Sequence, residues 1–182
     1  NRAANWLLWF TFAVHTFGLV CRIYISGRPP ITNLYSSAVF IGWAGVLLAL
    51  LFEIIYRLGI GNLLAAALGF PTMIIAYYLT FDLGNNGDTI GVMQAVLDTN
   101  FWLATHVTSI TLGYAAGLLA AALGNLWLIG KMIGLKRGDK EFYRTLGRMT
   151  YGVVCFGLIF SAVGTILGGV WANYSWGRFW GW

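Results

Sequence analysis

Two histidines and one aromatic-rich stretch are the residues in this chain whose types could do chemistry. His106 stands in the run "FWLATHVTSITLGYAAG", where an apolar segment begins. His15 lies in the middle of an earlier apolar segment. Residues 171–182, WANYSWGRFWGW, hold six aromatic rings in twelve positions: Trp171, Tyr174, Trp176, Phe179, Trp180 and Trp182. The same stretch carries one cation, Arg178, and two glycines, Gly177 and Gly181. An imidazole beside flat aromatic walls suits a planar macrocycle. The imidazole nitrogen can ligate haem iron, the rings stack on the macrocycle and indole N–H groups can reach its carboxylates. Arg178 can pair with a carboxylate such as a haem propionate, and glycines let backbone turn closely around a ligand.

Each of these residues has a plainer use. A histidine at a membrane surface can keep a wet tip. Tryptophan and tyrosine settle at headgroup level as a belt, although a belt supplies one or two rings per helix end, not six in twelve. Arg178 can contact lipid phosphate. His15 is an intramembrane ionisable group and so a functional candidate, but a neutral histidine bonded to a neighbouring helix is the simpler reading, since no second histidine within the bilayer completes a pair. Trp102, just before His106, adds one more indole at the same level.

The elements that must position these residues follow from composition. Of 182 residues 59% are hydrophobic and 9% charged, against about 25% charged in a soluble domain. A bilayer explains that balance. Five apolar segments, 6–25, 36–56, 61–80, 105–130 and 149–170, each approach the ~20 residues a spanning helix needs. The fold expected is all-α: one polytopic transmembrane bundle over 1–182, with about five spanning helices. A sixth, external helix is expected to lie on the membrane surface in "GDTIGVMQAVLDTNFW", capped by Asp88-Thr89, with Ile90, Met93, Leu97 and Phe101 at helical spacing. Pro71 should kink the third span. The pairs Gly113/Gly117 and Gly164/Gly168 should let helices approach closely.

Charge sets the expected orientation. The loop 131–148, KMIGLKRGDKEFYRTLGR, carries six of the chain's eleven cations, which places it in the cytoplasm. By alternation Arg2 and Arg57 fall inside, and the loops 26–35 and 81–104 fall outside together with residues 171–182. His106 and the tryptophan-rich stretch then share one side of the membrane at similar depth. The net charge of +5 reports topology and not nucleic-acid binding. Cys21 and Cys155 sit toward opposite faces and form no CxxC or CxxCH, so neither a disulfide nor a covalent haem site is expected. Glu53 and Arg57 should form an i,i+4 ion pair. Asp82, Asp88 and Asp98 show no metal-ligand spacing. No cleavable leader pattern opens the sequence, which enters its first apolar segment without a Met, as an excerpt of a longer chain would.

The residues resemble a known family. "VWANYSWGRFWGW" resembles the tryptophan-rich WWD motif, WxxxxWGxxWxWD, of haem-handling membrane proteins. "THVTSITLGYAAG" resembles the helix bearing the first external histidine of cytochrome c assembly proteins of the CcsA (ResC) type, and "GRPPITNLYSSAVF" is similar to that family's external segment after an early span. The motif's terminal Asp would follow Trp182, and the family's second external histidine and later intramembrane histidine would lie further on. Where the family often carries Glu after Tyr35, this chain has Ser36 and Ser37. The resemblance implies a bacterial cytoplasmic (inner) membrane protein for cytochrome c-type biogenesis. It would bind haem b and present it externally, with His106 as an axial ligand of the iron and Trp171, Trp176, Arg178, Trp180 and Trp182 holding the ring. His15, Trp102, Tyr174 and Phe179 are secondary candidates. The implied partners are a CcsB (ResB) subunit and an apocytochrome c bearing CxxCH, and any enzymatic role would be as part of a holocytochrome c synthase. Two other classes stay open: a respiratory subunit using haem b for electron transfer, which needs paired histidines within the bilayer, and a small-molecule transporter, for which no internal repeat is visible.

Overall fold

In the computed structural model the described residues are 2–82 and 88–179. They form five long helices: α1 (Arg2–Ser26), α2 (Leu34–Tyr56), α3 (Ile60–Asp82), α4 (Asn100–Met132) and α5 (Lys140–Trp176). No strand occurs among the described residues. All five are long and apolar enough to cross a bilayer. Each runs beyond the apolar segment that announces it. Hydropathy marks where hydrocarbon ends, whereas helical hydrogen bonding continues into the headgroup layer. The 37 residues of α5 thus include the charged Lys140–Arg148 at one end and the aromatic Trp171–Trp176 at the other.

Local chemistry fixes the turns. Asn33 opens α2 with a capping box: its side chain accepts from Ser36 N at 2.9 Å, and Ser36 Oγ accepts from Asn33 N at 2.9 Å. Ser36, fully buried, also accepts from Thr32 N. The expected Glu53–Arg57 ion pair does not form. Arg57 adopts a left-handed conformation (φ 52°) to close α2, and the Glu53 carboxylate instead accepts from Gly59 N at 3.0 Å and Gly61 N at 3.1 Å. A negative group there satisfies amides that the start of α3 would leave orphaned. A Cβ at residue 61 would lie 2.6 Å from Glu53 N, so the α2–α3 hairpin requires glycine at that crossing.

Packing is closest within two pairs, α2 with α3 and α4 with α5, which are joined where α2 meets α4. The main core lies at that junction: Ala49 and Leu50 of α2, Leu64 and Ala65 of α3, Leu119 and Leu123 of α4, and Leu146 and Met149 of α5. The outer helix α1 buries only Leu19. It is held by Trp43, which donates to Thr16 Oγ1 at 2.9 Å and stacks on Phe12 at 5.6 Å.

The surface helix expected over residues 88–101 is not formed. The backbone groups it would need are taken by distant partners. Thr89 O accepts from Arg22 and from Asn33 Nδ2, the latter at 2.8 Å, and Arg28 reaches Gly91 O. Asp88 accepts from Ile90 N at 2.8 Å instead of capping a helix. A single turn at Ala95–Leu97 follows, Asp98 pairs with Arg28 at 3.0 Å, and the chain becomes helical only at Asn100.

The small-residue pairs behave unequally. Gly113 faces Ser161, and a Cβ at residue 164 would meet Ile110 N at 2.8 Å, so α4 and α5 touch through backbone there. Gly117 faces open space and contributes no such contact; Gly157, facing Ala116 from α5, stands in its place. Pro71 lies inside α3. Cys21 and Cys155 are both free thiols.

Candidate functional site

His106 sits in an irregular part of α4. After one α-turn at Asn100–Trp102, residues Leu103–Val107 wind as a π-helix, and regular α-winding resumes at Thr108. Such single π-turns are uncommon and occur frequently at functional sites. Local side chains support this one: Thr105 Oγ1 donates to Phe101 O at 2.7 Å and Thr108 Oγ1 to Leu103 O at 3.1 Å. The wider turn aims the imidazole across the helix pair at α5.

There the imidazole occupies a notch made by two glycines. His106 Nδ1 lies 2.7 Å from the carbonyl oxygen of Gly164. A carbonyl only accepts, so Nδ1 carries a proton and, in the neutral ring, the lone pair is on Nε2. This arrangement fixes the tautomer in metal-binding histidines generally. The ring lies against Gly168, where a Cβ would fall 2.5 Å from Cε1 and 3.1 Å from Nε2. Only glycine leaves room for the imidazole at that level.

Aromatic rings continue from the imidazole. Trp171, one turn beyond Gly168 on α5, meets His106 edge-on at 5.7 Å and 62°. It lies nearly parallel to Trp102 at 6.2 Å and 12°. Tyr174 tilts against Trp102 at 6.2 Å and 38°, and Phe101 meets the far side of Trp102 at 5.0 Å. Two α5 residues three apart, Trp171 and Tyr174, thus face two α4 residues four apart, Trp102 and His106, as helical periodicity requires.

The other sequence candidates are placed differently. Because α5 runs on through Trp176, an advance of about 100° per residue turns Trp176 away from Trp171, and it is 62% exposed. Gly177 (φ 71°) then reverses the chain in a left-handed cap, Arg178 is exposed, and Phe179 folds back onto Gly169. Trp180 and Trp182 lie outside the described residues. His15 joins none of the contacts around His106. It lies on α1 beside a groove of about 410 Å³ shared with Thr11, Arg22, Tyr35 and Met73, and its Nε2 is buried without a hydrogen-bond partner among the described residues. The π-turn and the Gly164 carbonyl went unforeseen. Gly164 and Gly168 signal close helix approach in sequence, but nothing there says that an imidazole fills the gap.

Fold and site define a class: a polytopic helical membrane protein that gathers an imidazole and several indole and phenol rings at one end of its tightest helix pair. Residues 31–182 match the family described as Cytochrome C assembly protein, and the chain belongs to that family. It is 33% identical over 176 residues to "Protein NrfI" of Wolinella succinogenes, covering 96% of this chain and 19% of that protein. It is 29% identical over 168 residues to "Cytochrome c biogenesis protein CcsA" of Chlamydomonas reinhardtii, covering 90% of this chain and 47% of that one. The CcsA of Synechococcus sp. strain CC9902 is 29% identical over 194 residues, 92% of this chain and 62% of that protein. The chain therefore spans less than two thirds of each of these relatives.

Proposed function

We propose that this chain is the haem-presenting part of a CcsA-type cytochrome c biogenesis protein in a bacterial cytoplasmic membrane. In this reading the end of the bundle that holds His106 faces outward and the loop 131–148 faces the cytoplasm. The observation that carries the reading is the His106 Nδ1–Gly164 carbonyl bond of 2.7 Å beside Trp171 and Trp102. It leaves Nε2 as a preset ligand next to stacked indoles, a donor set that fits haem iron and its ring.

The roles divide by position. His106 would supply a nitrogen ligand to the iron, and Gly164, bonded to Nδ1, would orient its ring. Trp171, Trp102 and Tyr174 form an aromatic wall, and the tryptophan-rich motif assigns Trp180 and Trp182 to the same ligand. Trp176, turned away from Trp171, and Arg178, exposed just past the end of α5, serve the rim, where the guanidinium can meet a propionate. When bound, haem b supplies two vinyl groups, across which the thiols of an apocytochrome CxxCH add, sulfur to one carbon and hydrogen to the other. The chain's own contribution is to orient: a held ring turns a bimolecular encounter into a positioned one. A CcsB (ResB)-type subunit completes the assembly, and the combined machine is a holocytochrome c synthase.

The test uses full-length protein with His106→Ala. Haem b per chain should fall on the order of tenfold or more, and the axial-ligand bands should change, with partial recovery in exogenous imidazole. Wild-type occupancy with an unchanged spectrum removes His106 from the site.

A further inference from the structure

The opposite end of the α4–α5 pair holds a second built site, unrelated to the aromatic cluster. From His106 to Lys131 the helix rises about 38 Å at 1.5 Å per residue. There α4 gives way to a tight connection with three left-handed residues, Gly134 (φ 71°), Lys136 (φ 47°) and Gly138 (φ 93°). Leu135 N donates to Gly130 O at 2.8 Å, and Tyr143 Oη donates to Leu135 O at 2.5 Å, so the connection is tied to both helices. It borders an open pocket of about 550 Å³.

The lining of that pocket is divided. Lys131, Arg137 and Lys140 line it with cationic groups. None of the three forms an ion pair among the described residues. One carboxylate, Asp139, also lines the pocket, so three cations there face one anion; its Oδ1 accepts from Phe142 N at 3.0 Å as the cap of α5, and the neighbouring Glu141 pairs with Arg148 at 3.7 Å. The Lys131 ammonium is steered over the Trp127 ring at 4.6 Å and the Tyr143 ring at 5.4 Å. Besides the cations, Asp139 and Tyr143, the lining is apolar or glycine, and two of its members, Met132 and Ile133, are 85% and 71% exposed.

Each half points to the same ligand. Tryptophan and tyrosine settle at headgroup depth, which suits Lys131, beside Trp127 and Tyr143, to the level of lipid phosphate. Exposed Met132 and Ile133 at that depth suit acyl chain and not water. Free phosphate would use the cations and leave the apolar half idle. We propose that this pocket binds an anionic phospholipid, with its phosphate between Lys131, Arg137 and Lys140 and its acyl chains along Met132 and Ile133.

The test uses delipidated full-length protein in neutral detergent. Phosphatidylglycerol, phosphatidylcholine and inorganic phosphate are titrated separately, and bound lipid is counted by native mass spectrometry. Each cation near an anionic surface changes affinity about fivefold. Arg137→Gln/Lys140→Gln should therefore weaken phosphatidylglycerol on the order of 30-fold, and Arg137→Lys/Lys140→Arg should retain it. Lys136→Gln/Arg144→Gln removes two cations of the same loop that do not line the pocket and form no ion pair among the described residues, and it should change binding less than fivefold. Equal loss in the two glutamine pairs, or phosphatidylcholine bound as tightly as phosphatidylglycerol, overturns the site. Inorganic phosphate displacing the lipid at micromolar concentration overturns the lipid as its ligand.

Discussion

Gly168→Ala isolates the notch that holds His106. The added methyl would lie 2.5 Å from Cε1, about an ångström inside ordinary carbon–carbon contact of 3.5–4.0 Å. Withdrawal of α5 would open the close approach of Gly164 to Ile110, one turn away. The imidazole must move instead, and a shift near 1 Å lengthens its 2.7 Å bond to Gly164 O beyond hydrogen-bonding distance. The bond itself is worth about 0.5–1.5 kcal/mol. The larger consequence is loss of a fixed tautomer, and outer-shell changes of this kind cost about 10–100-fold in metal affinity. The assay is haem b retained by full-length protein through purification, with thermal stability measured in parallel. Gly117→Ala is the control, since that glycine faces open space and alanine favours a helix interior by about 0.5–1 kcal/mol. Haem retention in Gly168→Ala within twofold of the Gly117→Ala value would refute the notch as a support for the ligand.

Two further outcomes are expected. Trp171→Phe should lower haem retention several-fold while Trp176→Phe changes it less than twofold, because only Trp171 packs on both Trp102 and His106; equal losses in spectroscopic titration would return the tryptophans to the status of a belt. Single cysteines at positions 136 and 175, in protein lacking Cys21 and Cys155, should react with an impermeant thiol reagent in intact cells only at 175, and labelling at 136 alone would invert the orientation.

What was legible in the sequence is what hydropathy encodes. All five helices are present because about twenty apolar residues in a row have one good solution in lipid. Their ends were not legible, since charge at Lys140 or indole at Trp171 stops hydrocarbon burial without stopping a helix. The surface helix over 88–101 was misread because a local periodic pattern lost to partners far away in sequence, Arg22, Arg28 and Asn33. Glu53 was misread for a related reason: carboxylate and guanidinium four apart suggest a pair, but the unfilled amides at Gly59 and Gly61 are the stronger claim on a half-buried charge. At the candidate site, topology alone put His106 and Trp171 at one level. Separating Trp171 from Trp176 needed the knowledge that α5 continues, and the π-turn leaves no trace in residue type.

That π-turn has a consequence for insertions and deletions. An α-helix advances about 100° per residue, so deleting one residue from a spanning helix ordinarily swings all the side chains on one side of the cut off their partners. Leu103–Val107 already winds more residues into its turn than an α-helix holds. Removing one of them lets the turn close as ordinary α-helix. Asn100–Trp102 and Thr108–Met132, on either side, would both keep their faces toward α5, while the residues within the turn, His106 among them, shift by one place. In this five-residue stretch, the loss of a single codon can take the imidazole out of its notch and leave standing the helix on both sides of it.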